Sequence, residues 1–515
     1  MTQLKGFLTR TIWCGALLGF ALALFAAAAQ AQSFSTPKNL SNNAGRSEAA
    51  QIAVDGSSNI NVVWTEVTSG NGDIFFSRST DGGANFSTPQ NVSNNANSSF
   101  EPQIAVDGSG NINIVWTDVT PLPTDNWDIF FSRSTDGGAN FSTPKNLSNN
   151  TGAWTAKIAV DGSGNINVVW TGDCDLIFIC NSIIFSRSTD GGANFSTPKE
   201  VSHDTRYIDF APEAQIAVDD SGNINVVWGD PFSGQTGDFI CLTDILFSRS
   251  TDGGASFSIP KNLSNSRDGS FGCAPGVPGS TAGSSEAQIA VDGSGNINVV
   301  WTTNVSPENY GLSWDIFFSR STDGGANFST QNLSNSTSPL SIEPQIAVDS
   351  SGNINVVWTD DFLVLFSRST DGGASFSTQN VSNNANSSYE PQIAVDGSGN
   401  INVVWADDSV AGNAEIAFSR GVTLNSLEND IPALPATAFK NSTSNVGQAM
   451  LSILSDIEQA IASGDTADAI STLQDLLKRV DGCGTSADKN DWIVDCAEQV
   501  KIRTSINLLI ASLGG

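Results

Sequence analysis

Short runs of apolar residues alternate with polar ones along most of the chain and return at regular distances. In the run NINVVW at 59–64, every second residue from Ile60 to Trp64 is apolar, so these side chains share one face of an extended strand. Three neighbouring runs, QIAVD at 51–55, DIFFSRS at 73–79 and FSTPQNV at 86–92, are equally short and rich in Val, Ile and Phe. Such runs predict β-strands rather than helices.

Turn-forming segments separate these runs. The first two runs are joined by DGSSN or DGSGN, and the third and fourth by STDGG. In the first STDGG copy, Asp81 can accept backbone N–H groups, and Gly82 and Gly83 can adopt positive φ. Each unit is therefore predicted to be a four-stranded antiparallel meander.

The unit repeats along the chain, and a repeat of this length determines the architecture. The QIAVD-type run begins at Gln51, Gln103, Lys157, Gln215, Gln288, Gln345 and Gln392, and the following run ends at Trp64, Trp116, Trp170, Trp228, Trp301, Trp358 and Trp405. Four-stranded blades arranged radially form a propeller. The seven copies predict an all-β, seven-bladed β-propeller.

The STDGG turn occurs six times, with its aspartate at Asp81, Asp136, Asp190, Asp252, Asp323 and Asp371. The seventh unit stops at AEIAFSRG (414–421) without a fourth strand, whereas FSTPKNL at 34–40 matches FSTPKNL at 141–147. We therefore expect the N-terminal strand to complete the last blade, which would cover two open sheet edges at once.

The pattern S-x-D-x-G-x-x-[FW] resembles the Asp-box of the bacterial neuraminidase repeat, and the resemblance covers residues 34–422. In that family the Asp-box is a structural hairpin, found in sialidases and in many propellers without catalytic activity. The resemblance implies a sialidase-like propeller and assigns the six aspartates a structural role.

Four segments are expected along the chain. Residues 1–31 are predicted to be a secretory signal cleaved after Ala31, because Lys5 and Arg10 precede an apolar stretch and an Ala-x-Ala site; a retained membrane anchor is the alternative. Residues 32–422 form the propeller, and the Pro-containing stretch 423–442 is expected to be a linker. Helical periodicity then predicts a three-helix domain at 443–515.

Charge and cysteine content favour an extracellular or periplasmic protein without a membrane span in the mature chain. The net charge is −30, and loss of Lys5 and Arg10 makes it −30 − 2 = −32, which excludes electrostatic binding to nucleic acid. The six cysteines that remain are neighbours in pairs, which suggests three local disulfides, although sequence leaves the pairing open. The pairs are Cys174/Cys180, Cys241/Cys273 and Cys483/Cys496.

Strand parity divides the propeller into two rims. The DGSGN and STDGG turns share one edge, the uniform rim, because each follows an odd-numbered strand of its blade. The second-to-third-strand loops and the blade-to-blade loops share the opposite edge, the variable rim, and they differ greatly in length, for example at 229–244, 264–286 and 359–362. Variable loops on a rigid scaffold are where binding usually resides.

Acidic residues follow the repeated Trp in most blades: Glu66, Asp118, Asp173, Asp230, Asp360 and Asp407. We expect them to ring the mouth of the central channel. Their oxygens would suit Ca²⁺, but a solvated strand end is the simpler interpretation, and no spacing matches a calcium loop. No metal or other cofactor is therefore expected, with Ca²⁺ as the alternative.

Aromatic residues outside the repeat pattern fall on the variable rim, namely Trp127, Trp154, Tyr207, Tyr310 and Trp314. Their rings offer apolar faces for a sugar or a peptide; packing against the blades is the alternative. These aromatics and the acids after the repeated Trp, except Asp173, are the predicted binding residues.

Ten arginines lie in the propeller, and seven recur in the SR dipeptide of the third run, which indicates a structural role. Arg46, Arg206 and Arg267 do not recur. The sialidase resemblance implies an arginine triad for a sugar carboxylate and a tyrosine nucleophile, for which these three and Tyr207 or Tyr310 are the candidates. The chain lacks the family's F/Y-R-I-P motif and has seven blades instead of six.

We therefore expect a secreted, non-catalytic propeller that binds an extracellular glycan or protein. A sialidase-type glycoside hydrolase and a structural surface protein that assembles through its helical tail are the alternatives.

Overall fold

The computed structural model describes residues 33–514, except for 44, 69, 121–125, 150–151, 173–181, 203–212, 234–239, 265–282, 306–312, 337, 339, 384–386, 411–412, 441–444 and 485–489. The predicted leader and the candidate residues Asp173, Cys174, Cys180, Arg206, Tyr207, Arg267, Cys273 and Tyr310 lie outside the described residues.

Seven antiparallel sheets form the blades of a propeller, as the repeats predict. The inner strands are Arg46–Val54, Ser98–Val106, Trp154–Val160, Ala214–Val218, Ser284–Val291, Ser341–Val348 and Ser388–Val395. The second strands are Ile60–Thr68, Ile112–Thr120, Ile166–Gly172, Ile224–Ser233, Ile297–Asn304, Ile354–Asp360 and Ile401–Val410. The third strands are Asn71–Ser79, Asn126–Ser134, Ser182–Ser188, Ile240–Ser250, Trp314–Ser321, Leu363–Ser369 and Asn413–Val422. The outer strands of blades 1 to 6 are Gln90–Asn91, Lys145–Asn146, Lys199–Glu200, Lys261–Asn262, Ser329–Asn332 and Ser377–Asn380.

The N-terminal segment closes the seventh blade, which confirms the prediction from the missing STDGG turn. Strands Ser33–Phe34 and Lys38–Asn39 both pair antiparallel with Asn413–Val422. Phe34 contacts Phe366 of blade 6 edge to face at 5.2 Å, which is the contact that Phe141 makes with Phe76 in an ordinary blade pair. The closing strand therefore restores both the hydrogen bonds and the packing of the incomplete blade.

The hydrophobic core lies between adjacent blades. One cluster joins Ile129 and Phe131 of blade 2 to Val168 and Trp170 of blade 3. All seven repeated Trp side chains are 2% exposed or less. Each sheet packs against its neighbours on both faces, so both faces of the second strand are buried: Ile60, Val62 and Trp64 on one, Asn61 and Val63 on the other.

The second glycine of each STDGG turn is required by close packing between blades. Gly138 has φ of +87°, and a Cβ at this position would lie 2.2 Å from the Phe76 ring of the preceding blade. Real side chains do not tolerate such a distance, and positive φ disfavours L-residues other than glycine. The turn therefore fixes the spacing of neighbouring blades.

Four α-helices follow the propeller: α1 Leu424–Ala433, α2 Asn445–Ser463, α3 Thr466–Leu477 and α4 Cys496–Ser512, with a 3₁₀-helix at Ala436–Ala438. Helix α1 lies in the stretch expected to be a linker, which corrects that expectation. Thr423 and Ser426 form a capping box at its start, and Leu427 and Ile431 join the core of the tail. The two prolines misled the interpretation, because Pro432 and Pro435 fall only at the end of the helix and beyond it.

The tail contacts the uniform rim where the ring closes. Asn429 of α1 donates to the carbonyl of Ser398 at 3.3 Å, and the carbonyl of Leu508 in α4 accepts from Ser33 Oγ at 2.8 Å. Helix α1 begins directly after the last third strand, where the other blades have their STDGG turn. The tail thus begins at the position where a seventh STDGG turn would lie.

Candidate functional site

The STDGG turns are closed by their own polar side chains. In the second copy, Asp136 accepts from Ser134 Oγ at 2.8 Å and from the backbone and side-chain N–H groups of Asn140 at 2.9 and 2.8 Å. Ser134 Oγ in turn accepts from the Gly138 backbone at 2.8 Å. The donors of Asn140 and Ser134 lower the pKa of Asp136 to about 2. The carboxylate is therefore used to hold the hairpin.

The repeated arginines are also structural. Arg133 Nη2 lies 2.8 Å from Asp107, the first residue of the DGSGN turn in the same blade, and its Nη1 donates to Asn113 at 3.1 Å. The equivalent pair forms in all seven blades at 2.7–3.1 Å. Each pair joins the third strand to the first turn, as their recurrence suggested.

The acids after the repeated Trp lie inside the blades, which differs from the expected ring at the channel mouth. Asp118 is 2% exposed and accepts from Trp116 Nε1 at 2.8 Å, Asn95 at 2.8 Å and Ser99 at 2.5 Å. Asp407 likewise accepts from Trp405 Nε1 at 3.2 Å. A buried indole N–H needs an acceptor, and the residue two positions later in the strand supplies it.

Of the remaining predicted acids, Asp360 accepts from Ser341 at 2.7 Å, Asp230 is buried, and Glu66 is half-buried, with its pKa raised by burial. Blade 5 has Thr303 at the equivalent position, and Trp301 Nε1 has no hydrogen-bond partner among the described residues. The aspartate therefore serves the indole in blades 2, 6 and 7. In blade 1, Trp64 Nε1 is also unpaired among the described residues, although Glu66 follows it.

Two predicted aromatics come together on the variable rim. Trp127, near the start of the third strand of blade 2, and Trp154, at the start of the inner strand of blade 3, stack with ring centroids 3.9 Å apart and planes inclined by 7°. The backbone of Ala153 donates to the carbonyl of Trp127 at 2.9 Å. Both indoles are half-buried, so the pair forms an apolar step at the border of the two blades.

Trp314 begins the third strand of blade 5 and forms an isolated bridge with Leu340, which precedes blade 6. It is half-buried and lies at a blade border, as Trp127 does. Ser341, the residue after Leu340, corresponds to Ala153, and Ile342 occupies the position of Trp154. The border is therefore repeated without a second indole.

Arg46, at the start of the inner strand of blade 1, is 58% exposed and pairs with Glu48 at 2.9 Å. Its neighbourhood includes Tyr389, a residue that sequence analysis did not single out. The Tyr389 hydroxyl donates to Asp408 at 3.1 Å, and burial together with this carboxylate raises its pKa to about 12. A phenol held protonated in this way is the opposite of an activated nucleophile.

A second set of acids, also not anticipated, lines the central channel. In five of the seven blades a glutamate stands two residues before the QIAVD-type run, at Glu101, Glu213, Glu286, Glu343 and Glu390. These side chains, six glutamines and Lys157 line a cavity of about 270 Å³ on the propeller axis. The recurrence of EPQ and EAQ before the run is the sequence signal that could have found them.

Most of these glutamates lie at a bulge. The register of the inner strand shifts just before the repeated glutamine, for example between Ile342 and Gln345, and Glu101, Glu286, Glu343 and Glu390 adopt φ of 51–57°. The extra residue turns these positions out of the regular alternation. The bulges lie in the half of each inner strand nearer the variable rim.

Some channel carboxylates also join neighbouring blades. Glu286 accepts from Thr302 of its own blade at 2.7 Å and from the Glu343 backbone of the next blade at 2.8 Å. Glu343 accepts equivalently from Thr359 and from the Glu390 backbone, both at 2.8 Å, and Glu390 accepts from the Ala49 backbone at 3.1 Å. These three glutamates form a chain of hydrogen bonds across blades 5, 6, 7 and 1.

Burial raises the pKa of Glu101, Glu286 and Glu390, because the channel separates these carboxyls from bulk water. Lys157 acts in the opposite sense on Glu101. In the described part of the chain, no group of three His, Cys, Asp or Glu side chains is arranged to hold a metal ion. The channel is thus polar and acidic, and it disfavours anionic ligands.

The tail contains the Cys483–Cys496 disulfide, with the Cα atoms 5.1 Å apart. None of the described helices combines the length and hydropathy needed to span a bilayer. The other expected pairs, Cys174/Cys180 and Cys241/Cys273, include residues outside the described part.

Fold and site together define a seven-bladed β-propeller with structural repeats and a helical tail. No family model and no curated protein sequence matches the chain.

Solved structures similar to the chain include carbohydrate-active propellers. An ulvan lyase of polysaccharide lyase family PL25 is 14% identical at a TM-score of 0.49, over 75% of this chain and 93% of that one. A NanB sialidase variant from Streptococcus pneumoniae is 12% identical at 0.42, over 76% and 71%. An α-L-arabinanase from Penicillium chrysogenum, complexed with arabinobiose, is 14% identical at 0.42, over 62% and 92%. Likeness at this level concerns the fold alone.

Proposed function

We propose that the protein is a secreted, non-catalytic propeller that binds an extracellular glycan through its variable rim, and that its STDGG turns are Asp-boxes of the neuraminidase-repeat type. The observation that carries the binding proposal is the stacked pair Trp127 and Trp154. Two half-buried indoles outside the repeat pattern, held by adjacent blades, form a rigid apolar surface at the rim. The C–H face of a sugar ring packs on such a surface.

The distribution of polar groups supports a binding role. The repeated arginines and the STDGG aspartates are bonded within their blades. Most of the other recurring acids are bonded within or between blades, for example Asp118 and Glu286, so these groups are engaged in structure. The stacked pair Trp127 and Trp154, by contrast, lies outside the repeat pattern. Binding residues are expected among the parts of a rigid scaffold that break its repeat.

A sialidase-type hydrolase remains the second candidate because the Asp-box resemblance includes that class. Arg46, the described member of the candidate triad, pairs with Glu48 beside Tyr389 and Glu390. This acidic surrounding opposes the binding of a sugar carboxylate, and Tyr389 is held protonated. These observations favour binding over catalysis.

The test of binding is retention of the mature chain on a glycan array. We expect retention on a subset of glycans and a loss of roughly tenfold in affinity for Trp154→Ala, since one anchoring ring face is removed. Trp492→Ala is the matched control, because Trp492 is a half-buried indole in the tail, stacked with Arg479 at 4.4 Å. Equal retention of all three proteins would contradict the proposal.

The test of catalysis is hydrolysis of a fluorogenic sialoside. The proposal predicts no turnover by the mature chain. Turnover that Arg206→Ala abolishes would establish the sialidase alternative instead. Sedimentation of the chain with and without 443–515 separates a third role, assembly through the tail, which would appear as an oligomer that dissociates on truncation.

A further inference from the structure

A cavity of about 360 Å³ lies between the helical tail and the uniform rim, where the ring closes. One side is formed by the DGSSN turn of blade 1 and the equivalent turn of blade 7, through Ser57 and Ser398, and the other by α1 and α4. We call it the seam cavity. Ligand pockets in proteins commonly range from about 300 to 1,000 Å³, so its volume suits a small organic molecule.

Arg420 gives the seam cavity a buried donor that lacks an acceptor. The residue is 4% exposed; its Nη2 donates to Asp396 at 3.1 Å, whereas Nη1 has no hydrogen-bond partner among the described residues. In blade 1 the equivalent Arg78 donates Nη1 to Asn61 at 2.8 Å, whereas Nη1 of Arg249 in blade 4 is, like that of Arg420, unpaired among the described residues. An unpaired buried N–H is costly, so an acceptor atom at this point would be stabilised.

The charges around the seam cavity balance. Besides Arg420, it is lined by Lys501 and Glu498 of α4, whose charged atoms are 3.4 Å apart. Asp430 of α1 also lines it and accepts from Asn400 at 3.2 Å. An ionic ligand would add an uncompensated charge to a partly buried place. The described walls therefore favour a ligand that is neutral and both donates and accepts hydrogen bonds.

Part of the wall is apolar: Ala433, Leu434, Pro435 and Ile502. An apolar wall facing donors and acceptors matches a molecule with a C–H face and a set of hydroxyl groups. Hydroxyls can accept from Arg420 Nη1 and Lys501 Nζ and donate to the carboxylate of Glu498. A sugar ring combines these features in one molecule.

We propose that the seam cavity binds a neutral monosaccharide or disaccharide, held by Arg420, Lys501 and Glu498 against the apolar wall of the tail. This site lies on the rim opposite to the stacked indoles. It is therefore independent of the glycan-binding proposal for the variable rim.

The experiment is saturation-transfer NMR on the mature full-length chain with D-glucose, D-galactose and N-acetyl-D-glucosamine as probes. At least one probe is expected to receive magnetisation. Ala433→Trp, a substitution at an exposed residue that fills the cavity, should abolish the transfer, and Lys501→Met should weaken binding roughly tenfold. Lys478→Met, at a lysine whose side chain is 73% exposed in the tail, should change nothing.

Trp154→Ala should leave this signal intact, which distinguishes the seam cavity from the variable rim. The absence of transfer to all three probes, or a signal that survives both Ala433→Trp and Lys501→Met, would overturn the proposal. If Ala433→Trp lowers the melting temperature, Lys501→Met decides, because methionine retains the stem that lies over Gly82.

Discussion

The two rims of this propeller are built from the same blades but use polar side chains in different ways. On the uniform rim, each STDGG aspartate is bonded to its own hairpin, and each repeated arginine to the neighbouring turn. On the variable rim, the side chains that stand out are those that do not repeat, above all Trp127 and Trp154. In a repeat protein, recurrence therefore indicates structure, and departures from it indicate where to look for function.

The two sets of repeated carboxylates sharpen the contrast. Asp136 is fully exposed, yet its hydrogen-bond donors lower its pKa to about 2. Glu286 and Glu390 line the channel, and burial raises their pKa. The same chemical group titrates in opposite directions because donors dominate at the rim and desolvation dominates in the channel.

The largest expected effect is on the uniform rim. Gly138→Ala should lower the free energy of unfolding by about 3 kcal/mol or more, because the new Cβ meets Phe76 and alanine must adopt positive φ. Gly108→Ala is the matched control, since its Cβ would meet nothing within 4 Å. Urea unfolding of the two variants measures the difference. Equal midpoints would contradict the assignment of STDGG as a spacer between blades.

The next effect concerns the acids after the repeated Trp. Asp118→Ala should lower the free energy of unfolding by about 2 to 4 kcal/mol, because it leaves the buried donors of Trp116 and Ser99 without an acceptor. Glycan retention by the folded variant should be unchanged. A stable variant that fails to bind would instead make Asp118 a ligand contact.

Blade 5 offers the reverse experiment. Thr303→Asp should raise the free energy of unfolding by about 1 kcal/mol, because it supplies Trp301 Nε1 with the acceptor that blades 2 and 7 provide. Thermal unfolding measures the change, with Thr302→Asp as the control, since Thr302 donates to Glu286 and does not occupy the position two residues after Trp. A destabilised Thr303→Asp protein would refute this reading of the acids.

The smallest effect is the pH dependence. The raised pKa of Glu286 and Glu390 means that their neutral form is favoured in the fold, so their contribution increases as pH falls toward the ordinary glutamate value of 4.5. The lowered pKa of Asp136 and its equivalents gives stability that is present above 3.8 and lost as pH falls to about 2. Stability should therefore rise on mild acidification and then fall below pH 3.8.

A lower net charge also stabilises an acidic protein on acidification. The double variant Glu286→Gln/Glu390→Gln therefore isolates the contribution of the channel glutamates to the pH dependence of stability. Its rise in urea midpoint between neutral pH and pH 4.5 should be smaller than that of the unsubstituted chain. An identical rise in both proteins would show that the channel carboxyls do not titrate as described.

The blade count and the closure by residues 34–40 could be predicted because the turns and apolar runs repeat in register. The side-chain directions could not all be predicted. Whether Glu343 faces the channel depends on the bulge between Ile342 and Gln345, which the alternation of the strand does not reveal. The bond between Asp118 and Trp116 could not be predicted either, because it depends on burial within the blade. The sequence alone favours a position at the channel mouth. Helix α1 could not be predicted because Pro432 and Pro435 indicate a linker. In the structure, Pro432 lies at the end of the helix and Pro435 beyond it.

The division of work between the rims is tested most directly by comparing glycan retention of Trp127→Ala with that of Asp136→Asn, both checked for folding by circular dichroism. We predict that Trp127→Ala loses retention at an almost unchanged melting temperature, whereas Asp136→Asn melts earlier and retains the glycan while folded. Retention lost in Asp136→Asn and kept in Trp127→Ala would contradict it.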